Sequence, residues 1–200
     1  MYMGDVKSKT FLDTNASSAT YVAVAARPTT TFTLANSSFG TNTARKITAT
    51  TAGTSDNGKT ITIVGKDHNN DDATEVITLT GSAETSAGTT TAFLSITSAT
   101  VSAQPADNVS LGMTADVFGS IFQGRTRVRQ VNAESGGAIG SVLFRDGSLT
   151  GTALLTVRTG ATAGDINTVN IPQDGILYKS GAFVTFDETQ CNSATVYFDG

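Results

Sequence analysis

The chain has 200 residues, a formal net charge of −4, 15% charged and 38% hydrophobic residues, one cysteine, one histidine and no tryptophan. That length suits one large β domain or two small ones; the lone cysteine excludes an intrachain disulfide, the acidic balance argues against a dedicated nucleic-acid binder, and no run reaches the ~18 apolar residues of a membrane span. Threonine, about one residue in six, is β-branched and stiff at χ1, so composition favours sheets over helices.

Residues 1–18 read as a polar extended arm pinned at Phe11 and Leu12. The arm lacks the apolar stretch of a signal peptide, so folding in a cytoplasm is expected. "TYVAVAAR" then alternates, with Tyr21, Ala23 and Ala25 on one side and Val22, Val24 and Ala26 on the other, the period of a strand. Pro28 ends it and "TTTFTLA" supplies the next. "ARKITATT" and "KTITIVG" flank "AGTSDNG", whose Asn57-Gly58 suits the positive φ angles of a hairpin turn. "KDHNNDD" turns the chain into "ATEVITLTG", and "TAFLSITSATVSA" and "NVSLGM" follow.

Period two puts Arg45, Ile47 and Ala49 on one side of their strand, and Ala73, Glu75, Ile77 and Leu79 on one side of theirs. A carboxylate thus shares a face with core residues, and leaving it buried and unpaired is costly. Glu75 is therefore expected at the rim, paired with Arg45 or Lys46 or capped by backbone N–H groups.

Near residues 114 to 119 the texture changes: Thr and Ser thin out and Arg recurs. Beyond lie "RTRVRQV", "GSVLFRDG", "TALLTVRTG", "DINTVNIP", "GILYKSG", "GAFVTFD" and "SATVYFDG", with Asp146-Gly147 and Ser180-Gly181 as hairpin turns. The expected fold is all-β: an N-terminal arm (1–18), an Ig-like antiparallel β-sandwich (19–116) and a second small sandwich or barrel-like domain (117–200).

Reactive constellations are sparse. Nucleophilic catalysis would have to join His68 to Cys191 across the domain boundary, and one His with one Cys does not fill a zinc site. Asp67, Asn69, Asp71 and Glu75 resemble the start of a calcium loop, but Asp72 stands where glycine is needed and the glutamate comes too early. No enzyme, metal or cofactor is expected. The charge pattern that stands out is Arg125, Arg127 and Arg129 on one face of a strand. Three such guanidiniums call for acids opposite: an intrachain partner among Asp116, Glu134, Asp146 and Asp165, an acidic protein neighbour, or a nucleic acid or glycan. With Phe11 and Leu12 of the arm, these arginines are the candidate interface residues.

The segment "ARKITATTAGTSDNGKTITIVGKDHNNDDATEVITLTGSAETSAGTTTAFLSITSATV" resembles a β-sandwich module of structural proteins in tailed bacteriophages. The segments "GAIGSVLFRDGSLTGTALLTVRTG", "NIPQDGILYKSGAFVTF" and "SATVYFDG" are similar to a second small β module of phage virion proteins. The likeness covers most of residues 45 to 200; its motifs are turns and strands, and the arm has no counterpart in it. It implies a non-enzymatic virion component assembled in the host cytoplasm, with the major capsid protein or other virion proteins as partners, a homo-oligomer, and neither nucleic acid nor membrane bound. A capsid decoration protein docking in many copies is the first expectation. The arm would then order by adding to a neighbour's sheet edge. Alternatives are a tail, collar or head–tail junction component, or a receptor- or carbohydrate-binding module; the absence of Trp and the scatter of Tyr2, Tyr21, Tyr178 and Tyr197 weigh against the last.

Overall fold

The computed structural model describes residues 5–13, 15–80, 85–86, 88–172 and 174–200. The chain forms β1 (Val6–Leu12), β2 (Ala23–Ala26), β3 (Ala44–Thr51), β4 (Thr60–Asp67), β5 (Asp72–Thr78), β6 (Thr85–Ser86), β7 (Phe93–Val101) and β8 (Val109–Phe122). It continues through β9 (Thr126–Ser135), β10 (Gly140–Asp146), β11 (Ala153–Thr159), β12 (Ile166–Asn170), β13 (Ile176–Tyr178), β14 (Ala182–Asp187) and β15 (Cys191–Asp199). The fold is all-β and sandwich-like, with no helix among the described residues.

Two units divide the chain. The inserted unit holds Ala16–Phe39 and Ala44–Ala115; the terminal unit holds the described residues up to Asn15, then Gly40–Thr43 and Asp116–Gly200. The change of unit falls between Ala115 and Asp116, inside β8, a strand that runs on without a break.

In the inserted unit the strand order is β8–β3–β7–β4–β5, with β2 also pairing β8 and β6 pairing β3. Ile47 and Ala49 of β3, Ile61 and Ile63 of β4, Ile77 of β5, Phe93, Ile96 and Ala99 of β7 and Leu111 of β8 share one core. Burying each large member stabilises the unit by ~1.5–3 kcal/mol. The alternation read for β3 and β5 holds: Arg45, Ile47 and Ala49 are buried together, while Thr74 and Val76 of β5 face solvent. Glu75 is capped as expected, its oxygens accepting the Thr90 N–H at 2.6 Å and the Thr91 N–H at 2.8 Å. Arg45 goes elsewhere: its Nη1 donates to the carbonyls of Thr114 (2.7 Å) and Ala115 (2.6 Å).

Three expectations change here. "TTTFTLA" forms only an isolated bridge, Thr31 with Thr100, although Phe32 N–H donates to Ala99 beside β7. The alternation in "TYVAVAAR" breaks because a register shift between Ala23 and Ala26 leaves Val22 and Ala23 both buried. β3 and β4 are not a hairpin, since β7 lies between them. Gly58 does take a positive φ of 79°. However, the segment around it is fastened to the loop joining β7 and β8: Ala52 N–H donates to Asn108, and the Asp56 carboxylate accepts the N–H groups of Ala106 and Asp107.

The terminal unit has one sheet ordered β1–β15–β9–β12, with β13 continuing β12's place beside β9, and a second path β11–β10–β14–β8. Val128, Val131, Val142, Phe144, Val184, Phe186, Val196 and Phe198 are among the residues of its core. The polar arm expected over residues 1–18 is thus corrected over Val6–Leu12, which pair with β15 along their whole length. Phe11 is fully buried in the core, and Gly119 lies against its ring, where a side chain would not fit. An aromatic residue in register with Ala194 has more apolar surface to cover inside its own sheet than in solvent, and this decides the strand's place. Ser180-Gly181 also differs from a hairpin. Gly181, at φ 118°, turns the chain from β13, paired with β9, to β14, paired with β10 and β8.

Candidate interaction face

The pairing register of β1, β15, β9 and the β12–β13 edge sets which side chains share a face. Phe11, Ala194 and Ala133 form one transverse row pointing into the core, and Val196 and Val131 lie in the next inward row. The alternate positions point outward in four rows. Leu12, Ser193, Glu134 and Ile166 make the first; Thr10, Thr195, Asn132 and Thr168 the second. Ser8, Tyr197, Gln130 and Asn170 make the third; Val6, Asp199, Arg127 and Leu177 the fourth.

Bonds within and between the rows hold these side chains upright. The Thr10 and Thr195 hydroxyls are 3.0 Å apart, Gln130 Nε2 donates to Asn132 Oδ1 at 3.1 Å, and Ser193 Oγ donates to Glu134 Oε2 at 2.9 Å. A β-bulge lies between the second pair of rows. Tyr197 is opposite Gln130 and Phe198 opposite Val128, so Arg129 is the extra residue and both Arg129 and Gln130 turn outward. The bulge delivers Arg129 to Asp199: Nε is 2.8 Å and Nη2 2.5 Å from Oδ2. That hydrogen bond raises the Arg129 pKa above its ordinary value.

The expected interface residues therefore separate. Arg127, Arg129 and Leu12 lie on this face. Arg125 is exposed in the bend before β9, and Phe11 is on the opposite side, inside the core, so it is not an interface residue of this chain. The intrachain acid that an arginine of this set meets is Asp199, bound by Arg129, rather than Asp116, Glu134, Asp146 or Asp165, because the bulge turns Arg129 toward the end of β15. Among the described residues, Arg127 reaches only the carbonyls of Asp174 and Gly175, at 3.4 and 3.5 Å. Sequence reading missed Tyr197, Gln130, Asn132, Thr168 and Asn170. They are gathered from distant strands, and the one signal for them was the alternation Ser193, Thr195, Tyr197, Asp199 in "SATVYFD".

The groups considered for chemistry lie elsewhere. His68 is in the inserted unit and Cys191 in the terminal unit. Burial lowers the His68 pKa, against the pull of Asp67 and Asp71. Cys191 is fully buried; its thiol donates to the Ser193 carbonyl at 3.1 Å, and burial pushes its pKa up to about 12. In the "KDHNNDD" turn the Asp67 carboxylate accepts the N–H groups of Asn69 (2.8 Å) and Asp71 (3.0 Å), and Asn70 takes a φ of 70°. Glu75 is occupied at Thr90 and Thr91, so this string folds as a capped hairpin turn. Among the described residues no group of three or more His, Cys, Asp or Glu side chains could hold a metal ion. A shallow depression of about 200 Å³ lies between Val24–Pro28 and Thr31–Thr33, but the Nε of its Arg27 is held by the Pro105 carbonyl at 3.0 Å.

No protein-family model, no curated protein and no solved structure matches the chain.

Proposed function

We propose that this chain is a non-enzymatic structural component of a tailed-bacteriophage virion, docking on the major capsid shell in many copies. The observation that carries this reading is where the resembling strings fall. "KTITIVG", "ATEVITL" and "AFLSITS" lie on β4, β5 and β7, and "GILYKSG" and "GAFVTF" lie on β13 and β14, so the strand-and-turn pattern shared with virion modules is used as strands and turns. The outward rows of hydroxyl and amide side chains on β1, β15, β9 and β12 add support, because such a surface stays hydrated in a free subunit and still offers hydrogen bonds to a partner. Many weak contacts repeated on a symmetric shell become strong through avidity.

The test is quantitative mass spectrometry of purified particles. A copy number comparable with the major capsid protein is the expected result. A number matching the tail axis would move the protein to a tail, collar or junction, and absence from particles would overturn the reading. Tyr197, set among Ser8, Gln130 and Asn170, favours one second reading, a carbohydrate-binding module. Glycan-array binding that a Tyr197→Ala variant loses would support it.

A further inference from the structure

We propose that the outward face of β1, β15, β9 and β12–β13 binds the same face of a second copy of this chain, about a two-fold axis lying in the plane of the face and perpendicular to its strands. The inference rests on how the four rows match when reversed. Such an axis keeps each strand over its own counterpart and exchanges the first row with the fourth and the second with the third. Leu12 then lies over Val6, Ile166 over Leu177, and Glu134 over Arg127; Asn132 lies over Gln130, and Thr168 over Asn170.

Each exchanged pair is chemically matched. The apolar corners meet apolar corners, and three of them are bare: Val6 is 60% exposed, Leu12 36% and Ile166 68%, while Leu177 is half-buried. Glu134 meets Arg127, the guanidinium that among the described residues has only long contacts to carbonyls, whereas Arg129 keeps Asp199 within its own copy. Hydroxyls and amides meet each other across the middle, where every donor finds an acceptor class opposite. A face that mates with its own reverse is what an isologous contact requires, and an unrelated partner would impose no such symmetry on it. Two sheets packed face to face with strands within about 30° of each other are also a common arrangement.

The size of the face sets the strength. Four rows at ~6.8 Å spacing and strands at ~4.8 Å cover roughly 300–400 Å² per copy, below the ~800 Å² per partner of a standard interface. The pairing is therefore weak and reversible for the free chain, forming at roughly 0.1 mM and above. It does not depend on the virion reading: absence from particles would leave it standing, and a monomeric chain would leave the virion reading standing.

Sedimentation velocity of the full chain from ~10 µM to ~1 mM tests it. The expected result is a rapid monomer–dimer equilibrium that Arg127→Glu and Glu134→Arg each weaken at least about tenfold, that the two together restore to within about threefold, and that Ile166→Asp also weakens. All three positions lie on the outward face, and circular dichroism confirms that each variant keeps its strands. A chain that stays monomeric over the whole range overturns the proposal. So does a dimer indifferent to both Arg127→Glu and Ile166→Asp, or a charge swap that fails to rescue.

Discussion

Replacing Asp56 with alanine tests the packing of the inserted unit at its most polar point. The Asp56 side chain is fully buried, yet it accepts the Ala106 N–H at 2.6 Å, the Asp107 N–H at 3.0 Å and the Lys59 ammonium at 2.8 Å. Charge-assisted hydrogen bonds contribute ~1.5–3 kcal/mol each net. Ala106 and Lys59 are partly reached by water, which discounts their bonds, so Asp56→Ala is expected to lose about 3 kcal/mol, the lower end for removing one partner of a buried ion pair. For a unit of this size that lowers Tm by more than about 10 °C. Burial alone would raise the Asp56 pKa, but Lys59 and the two backbone N–H groups outweigh it and hold the value below that of an ordinary carboxyl. A group whose folded pKa is depressed stabilises fully above its unfolded pKa of ~3.9 and loses that contribution as pH falls through the folded value. The gap between wild type and variant is thus level from pH 5 to 8 and narrows below about pH 4. Urea unfolding across pH reads the gap. Amide hydrogen exchange localises it, with Ala106 and Asp107 exchanging at least about a hundredfold faster in the variant. A loss below about 0.5 kcal/mol at pH 7, or a gap that widens on acidification, would refute the reasoning.

Phe11→Ala empties a core position against Gly119 and is expected to destabilise the terminal unit by about 3–5 kcal/mol in denaturant unfolding; no change would mean that β1 is not part of the fold. Tyr178 has a buried hydroxyl without a hydrogen-bond partner among the described residues, so Tyr178→Phe is expected to leave stability unchanged or raise it by about 1 kcal/mol, and a clear loss would contradict the isolation of that hydroxyl. Cys191, with its pKa raised to about 12, is expected to resist Ellman's reagent at pH 8 until urea unfolds the chain; stoichiometric labelling of the native protein within minutes would overturn its burial.

Strand content and strand faces were legible because they depend on local alternation. The buried set Arg45, Ile47, Ala49 and the capped Glu75 follow from period two and from the penalty on an unpaired carboxylate. Topology was less legible, since it turns on contacts remote in sequence. Asn57-Gly58 carries a hairpin's residues, yet Asp56 beside it binds Ala106 and Asp107, and β7 enters between the strands that the turn was expected to pair. Phe11 gave the same difficulty. Its polar neighbours suggested an arm, and only Ala194 and Gly119 reveal what its ring covers. The interaction face was legible in part: the alternate arginines of "RTRVRQV" marked its fourth row, but the bulge at Arg129 depends on β15, and no periodicity within β9 announces it.

The partnership of β1 with β15 also bears on how the chain is made. Phe11 leaves the ribosome about 180 residues before Ala194, its neighbour in the sheet, a delay of roughly 10 to 40 s at ordinary elongation rates. In that interval the inserted unit is synthesised in full, while the first strand still lacks β15, the strand that covers its aromatic ring. Nascent chains stalled short of β15 should therefore expose the segment around Phe11 to protease and to chaperones that bind apolar peptides, and synthesis through Asp199 should end that exposure.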